Sequence, residues 1–65
     1  MAEKVYVHAD NSGFTIHKSK DGAVREALKS NKTGSHEVRR SVEGWDGEKE
    51  TSIGRSTLYP KELKD

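Results

Sequence analysis

The side chains with chemistry to offer are few and widely spaced. Tyr6, His8, His17 and Trp45 supply rings, and Lys18, Lys20, Arg39 and Arg40 supply cations on neighbouring segments. Rings that stack on bases, beside cations that meet phosphates, are a combination with which some sheets hold single-stranded nucleic acid. The plainer reading is a small domain that carries such residues on a solvated face, or covers them with its C-terminal segment. His8 and His17 are near enough in a hairpin to share a metal or to titrate as a pair. Only His36 and scattered carboxylates are available to complete a metal site, at no recognisable ligand spacing. Two solvated strand histidines are the ordinary alternative, and no cofactor is implied. Serines are plentiful, but none sits in a nucleophile elbow. The six glycines are spread as turn and cap residues and form no phosphate loop. With little room for a pocket as well, an enzyme is not expected.

Composition narrows the field further. A chain of 65 residues buries only about 60% of the surface its unfolded form exposes. Apolar residues make up 29% and charged residues 35%, with a mean hydropathy of −1.03, a balance that leans toward disorder. Net charge is only +1, and the apolar residues fall at strand and helix periods, which favours one folded domain over 1–65 with fraying at 1–3 and 61–65. The absence of cysteine excludes disulfides, thiolate metal sites and cysteine nucleophiles. Neither a signal-peptide run nor a membrane span is present, so the cytoplasm is the expected compartment.

Positioning those rings and cations requires a sheet. Val5, Val7 and Ala9 alternate with Tyr6 and His8, and Phe14 and Ile16 alternate with Thr15 and His17. Asp10-Asn11-Ser12-Gly13 suits the turn between them. Closure there sets Ala9 against Phe14, His8 against Thr15, Val7 against Ile16 and Tyr6 against His17. Opposed residues share a face, so Val7, Ala9, Phe14 and Ile16 are expected inward, with Tyr6, His8, Thr15 and His17 outward. Ser19 is the expected N-cap of a helix whose Val24, Ala27 and Leu28 form an apolar stripe, ended by Asn31 or Gly34.

Residues 35–45 read as a third strand, with Val38 and Val42 inward and Arg39, Ser41, Glu43 and Trp45 outward. Arg40 then points inward, which demands a sheet margin or a bulge. Asp46-Gly47 signals a hairpin to a polar edge strand at 48–55. It would oppose Trp45 to Glu48, Glu43 to Glu50, Val42 to Thr51 and Arg40 to Ile53. Residues 57–65 read as a short turn of helix opened by Pro60, or a tail. The expected fold is α+β: ββαββ, a single helix on one face of a small, mostly antiparallel four-stranded sheet.

The face left open would then collect Tyr6, His8, His17, Arg39 and Trp45, near Lys18, Lys20 and Arg40. Two functions from different classes follow. One is a non-enzymatic module for single-stranded nucleic acid, supported by seven cations against three carboxylates over residues 17–40. The alternative is a protein-binding regulator or inhibitor, of the accessory or phage-encoded kind, docking through the same face, an edge strand or the tail. Monomer and homodimer are both open, the dimer burying the open face.

Overall fold

A computed structural model of the chain describes residues 3–63. The elements run β1 (Glu3–Asp10), β2 (Gly13–His17), α1 (Lys20–Ser30), α2 (His36–Glu43), β3 (Thr51–Ile53) and β4 (Ser56–Leu63). The four strands form one sheet in the order β2-β1-β4-β3, every neighbouring pair antiparallel. The class is therefore α+β as expected, but the order is ββααββ and the helices number two. No helix among the described residues is long and apolar enough to cross a membrane.

The first hairpin closes in the expected register, from Tyr6 opposite His17 to Ala9 opposite Phe14. Asp10 Oδ1 accepts the Ser12 N–H at 2.8 Å and shapes the turn. Ser19 caps α1 as expected, its Oγ accepting from Gly22 N at 3.3 Å, with Asp21 in the first turn and Asn31 as the C-cap.

The second half of the chain departs from the strand reading. Residues 36–43 are helical because Ser35 caps them, accepting from Val38 N at 3.2 Å, with Glu37 in the first turn and Gly44 at the end. Val38 and Val42 are four apart, a spacing that serves one face of a strand or of a helix alike. The helix resolves the Arg40 conflict by turning that side chain outward, where it is exposed. The Asp46-Gly47 hairpin and its pairings do not form, since Arg40, Val42 and Glu43 lie in a helix. Only Thr51–Ile53 of the expected strand at 48–55 is extended. It does form a sheet edge, and it turns back at Gly54-Arg55, where Ile53 pairs with Ser56. Gly54 adopts φ 60, the value such a two-residue turn needs at its first position.

The C-terminal segment is a strand, not a helical turn or tail. β4 pairs along β1 from Ala9–Thr57 to Glu3–Leu63, so the part of 61–65 that is described is paired, and so is Glu3. Residues 1–2 and 64–65, also expected to fray, lie outside the described residues. Pro60 is tolerated because β3 ends opposite Leu58, leaving β4 a partner on one side only at that point.

The larger correction concerns which face the helices cover. The buried cluster between the layers is Ala23, Ala27, Val42, Trp45 and Leu58, with Tyr6, Val24, Leu28 and Ile53 packed against it. Leu58 opposes His8 and Pro60 opposes Tyr6. The helices therefore sit on the Tyr6, His8 side of the sheet, opposite to the expectation. Val7, Ala9, Phe14 and Ile16 do share a face, but it is the uncovered one. Ala23 and Ala27, four apart and fully buried, let α1 approach the sheet closely.

One side chain ties three elements together. Asn31, 2% exposed, donates through Nδ2 to Ala27 O at 2.8 Å and Ser56 Oγ at 3.0 Å, and its Oδ1 accepts Arg55 N at 3.0 Å. Gly54 leaves the space it needs: a Cβ there would strike Asn31 Oδ1 and stand 2.8 Å from Val38 Cγ1. Replacing Asn31 by Ala strands the Arg55 N–H and removes a donor from Ser56. The expected cost is about 2–3 kcal/mol, a large part of the roughly 3–5 kcal/mol a core of this size supplies. Urea unfolding of Asn31→Ala checks this against the exposed Ser52→Ala, which should stay within about 0.5 kcal/mol of the wild type.

Candidate functional site

The residues expected to form a stacking platform are divided between core and surface. Trp45 is 4% exposed. Its ring meets that of Tyr6 edge to face, centroids 6.0 Å apart and planes at 88°, and its Nε1 donates to Lys49 O at 2.7 Å. Trp45 is buried and Tyr6 half-buried against it, so the pair serves the core, as edge-to-face aromatics commonly do. The Lys4 ammonium covers part of Tyr6 from 5.6 Å.

His8 is 4% exposed and its Nε2 lies 2.8 Å from Ser56 Oγ. Asn31 donates to that same oxygen, which retains a second lone pair and its own proton, so His8 Nε2 meets it as donor or as acceptor according to the imidazole tautomer. Burial is the main influence on His8 and lowers its pKa below the ordinary 6.5; Asp10 and Glu26 raise it, and His17 adds to the lowering. His8 is thus a neutral polar group held in the interior. His17, half-buried on the hairpin, has its Nε2 2.8 Å from Thr15 Oγ1 and leans on the start of α1, where a Cβ at Gly22 would stand 2.9 Å from its Nδ1. The two histidines face the helices and share no site; no group of three His, Cys, Asp or Glu side chains among the described residues is arranged to hold a metal.

Of the four expected cations, Lys18 is exposed beside the start of α1, and Lys20 is half-buried. The Lys20 stem lies over Gly47, where a Cβ would stand 3.0 Å from its Cδ and 3.3 Å from Tyr6 Cε1. Arg39 and Arg40 are elsewhere, exposed on α2. There they join two residues that sequence reasoning left out of the site. A groove of about 370 Å³ between α1 and α2 is lined by Lys32, His36, Arg39, Arg40 and Glu43, with Leu28 on its α1 side.

Positions 36, 39, 40 and 43 are spaced i, i+3, i+4, i+7, so one helix face presents an imidazole, two guanidiniums and a carboxylate together. The signal was in the sequence: Ser35 as a cap followed by that spacing identifies a charged helix face. A strand reading scatters the same residues over two faces. The groove brings Lys32, which follows α1, beside Arg39 and Arg40 of α2, and guanidiniums and ammoniums so placed are suited to anionic oxygens.

No protein-family model, curated protein or solved structure matches the chain.

The interior position of His8 carries a pH dependence. Its folded pKa is lowered, so the unfolded chain binds the proton more readily, and stability is full above pH about 6.5 and declines as the pH falls below it. Asp10 and Asp46 are also held below the ordinary 3.8, Asp10 by the Ser30 hydroxyl and the Ser12 N–H, and Asp46 by the Glu48 and Lys49 N–H groups. Their contribution is lost only at more acid pH. Thermal unfolding should therefore weaken in two stages, the first below pH about 6.5 and much reduced in His8→Gln. A wild-type stability that stays level from pH about 7 to about 5 would show that His8 is not desolvated in the folded chain.

Proposed function

We propose that the protein is a non-enzymatic binding module for nucleic acid, engaged through the phosphate backbone by its helical layer. The observation that carries this is the groove in which Lys32, His36, Arg39 and Arg40 meet with Glu43 as the one carboxylate. Charge distribution supports it. Residues 18–43 hold Lys18, Lys20, Arg25, Lys29, Lys32, Arg39 and Arg40 against Asp21, Glu26, Glu37 and Glu43, seven cations to four carboxylates. The rest of the chain holds five cations to seven carboxylates. The excess positive charge of the molecule therefore belongs to the segment that contains both helices.

The mode of binding differs from the one expected of a stacking sheet. Tyr6 and Trp45 are engaged with each other at the core, so base stacking on this pair gives no reason to prefer a single strand. Contacts to phosphates alone are insensitive to base sequence and strongly sensitive to salt. With three or four phosphates neutralised, the logarithm of the association constant should fall against that of salt with a slope of about −3.

Anisotropy of a labelled duplex and of a labelled single strand, followed from about 50 to about 200 mM salt, measures this directly. Both should bind weakly at low salt and lose about sixtyfold in affinity over that range. Arg39→Ala with Arg40→Ala should lower the slope by about 2, while Lys61→Ala, on the opposite layer, leaves it unchanged. Absence of any anisotropy change at the lowest salt, or binding indifferent to salt, overturns the reading. Trp45 is a poor reporter here, since its ring is buried away from the groove.

A second reading, docking of a protein, is favoured by a separate observation. Phe14, Ile16 and Leu63 are the large apolar side chains exposed in the structure, at 67%, 51% and 40%. The strand register places all three on the sheet face that the helices leave uncovered.

A further inference from the structure

We propose that this uncovered face closes against a second copy of the same chain, an inference that rests on the protein-docking reading and names its partner. The face can be built from the register. β1 contributes Glu3, Val5, Val7 and Ala9, the edge strand β2 contributes Phe14 and Ile16, and β4 contributes Thr57, Tyr59, Lys61 and Leu63. Val5 and Val7 are only 2% and 1% exposed although no helix lies over them. Phe14 and Ile16, on the edge strand, are left in water.

An antiparallel sheet can leave one face in water, but the large apolar groups on this one, Phe14, Ile16 and Leu63, stand exposed and gain free energy when covered. The charge on the open face selects among possible covers. Among the described residues Glu3 and Lys61 are its charged members, one of each sign, so this part of the face has no net charge with which to attract a strongly acidic or basic partner. An isologous contact needs only self-complementarity. A two-fold axis can set Glu3 of one protomer near Lys61 of the other while the aliphatic rows meet between them.

Size sets the strength. The molecule measures 40 × 23 × 15 Å, and helices stacked about 10 Å from a sheet account for most of the shortest extent. Its broad face therefore projects roughly 900 Å², of which the rows on β2, β1 and β4 span about 400 Å². Two copies would bury about 800–1,800 Å² in all, from the weak end to the middle of specific interfaces. The dimer should be reversible, with dissociation in the micromolar range or above.

Sedimentation velocity from about 5 to about 500 μM should show the mass rising from the 7.3 kDa monomer toward twice that value. Phe14→Lys combined with Ile16→Lys should remain monomeric throughout, with far-UV circular dichroism unchanged because both positions are already half or more exposed. Dilution of labelled wild-type protein supplies a reading that needs no variant: amide shifts should move at Val5, Val7, Phe14, Ile16, Tyr59 and Leu63. A wild type that is monomeric throughout, a variant that still dimerises, or shifts concentrated on α2 or on the outer edges of β2 and β3 overturns the proposal. A monomeric wild type that captures some other protein, with capture lost in the Phe14 and Ile16 variant, overturns the second copy as occupant and leaves the docking reading standing.

Discussion

The fold depends on the pairing of β1 with β4. That ladder joins the first described strand to the last along seven residue pairs, and it places β1 in the interior of the sheet with a partner on each side. Everything between must then leave β2 at one edge, cross the sheet as two helices and return through β3 at the other edge. The crossing covers the Tyr6, His8, Leu58 face because the intervening chain presents Ala23, Ala27, Val42 and Trp45 to it. Asn31 secures this arrangement at its most exacting point, where the end of α1 meets the β3–β4 turn. A polar side chain buried there is costly unless every donor and acceptor is met, and Asn31 meets both of its donors and its acceptor.

Two consequences follow for a small core. The helices bury mostly alanine and valine, so close approach substitutes for bulk, and the large contribution comes from the Tyr6–Trp45 contact and Leu58. The other consequence is polar. His8, Ser56 and Asn31 form a buried hydrogen-bonded group inside the same layer, so part of the interior is specified by geometry that a purely apolar core of this size would lack. Rings that suggest ligand binding on a strand are, in this molecule, the interior itself.

What the sequence revealed follows the range of the interactions involved. The first hairpin was legible residue by residue, because alternation and a local turn determine a register. The Ser19 cap and α1 were legible for the same reason. The covered face was not, since alternation divides side chains into two sets without saying which set meets a helix. Here both sets are rich in apolar or aromatic residues, and the polar content of Tyr6, His8 and His17 pointed the wrong way. Residues 36–43 were misread because Val38 and Val42 satisfy both periods. The inward Arg40 was the mark that the strand period was wrong. Pro60 suggested the start of a helical turn within 57–65, and only the short length of β3, a tertiary fact, makes a strand acceptable there. Lys32 and His36 went unnoticed as site residues because a strand at 35–45 never brings them beside Arg39 and Arg40.

The resulting molecule has two unlike surfaces on opposite layers. The helical side concentrates the positive charge, while the sheet side is largely apolar and, among the described residues, carries one charge of each sign. Their separation has a physical use. If sheet faces were joined, the helical layers would point away from each other, and cations on the two protomers would lie about two domain thicknesses apart, beyond a Debye length of about 8 Å at physiological salt. Electrostatic repulsion between the basic grooves would then oppose assembly only slightly, and assembly would leave the grooves open to solvent. A basic groove on the sheet side would have forced a choice between the two contacts. Placing His8, Tyr6 and Trp45 under the helices, and Phe14 and Ile16 outside, is what keeps those two surfaces independent.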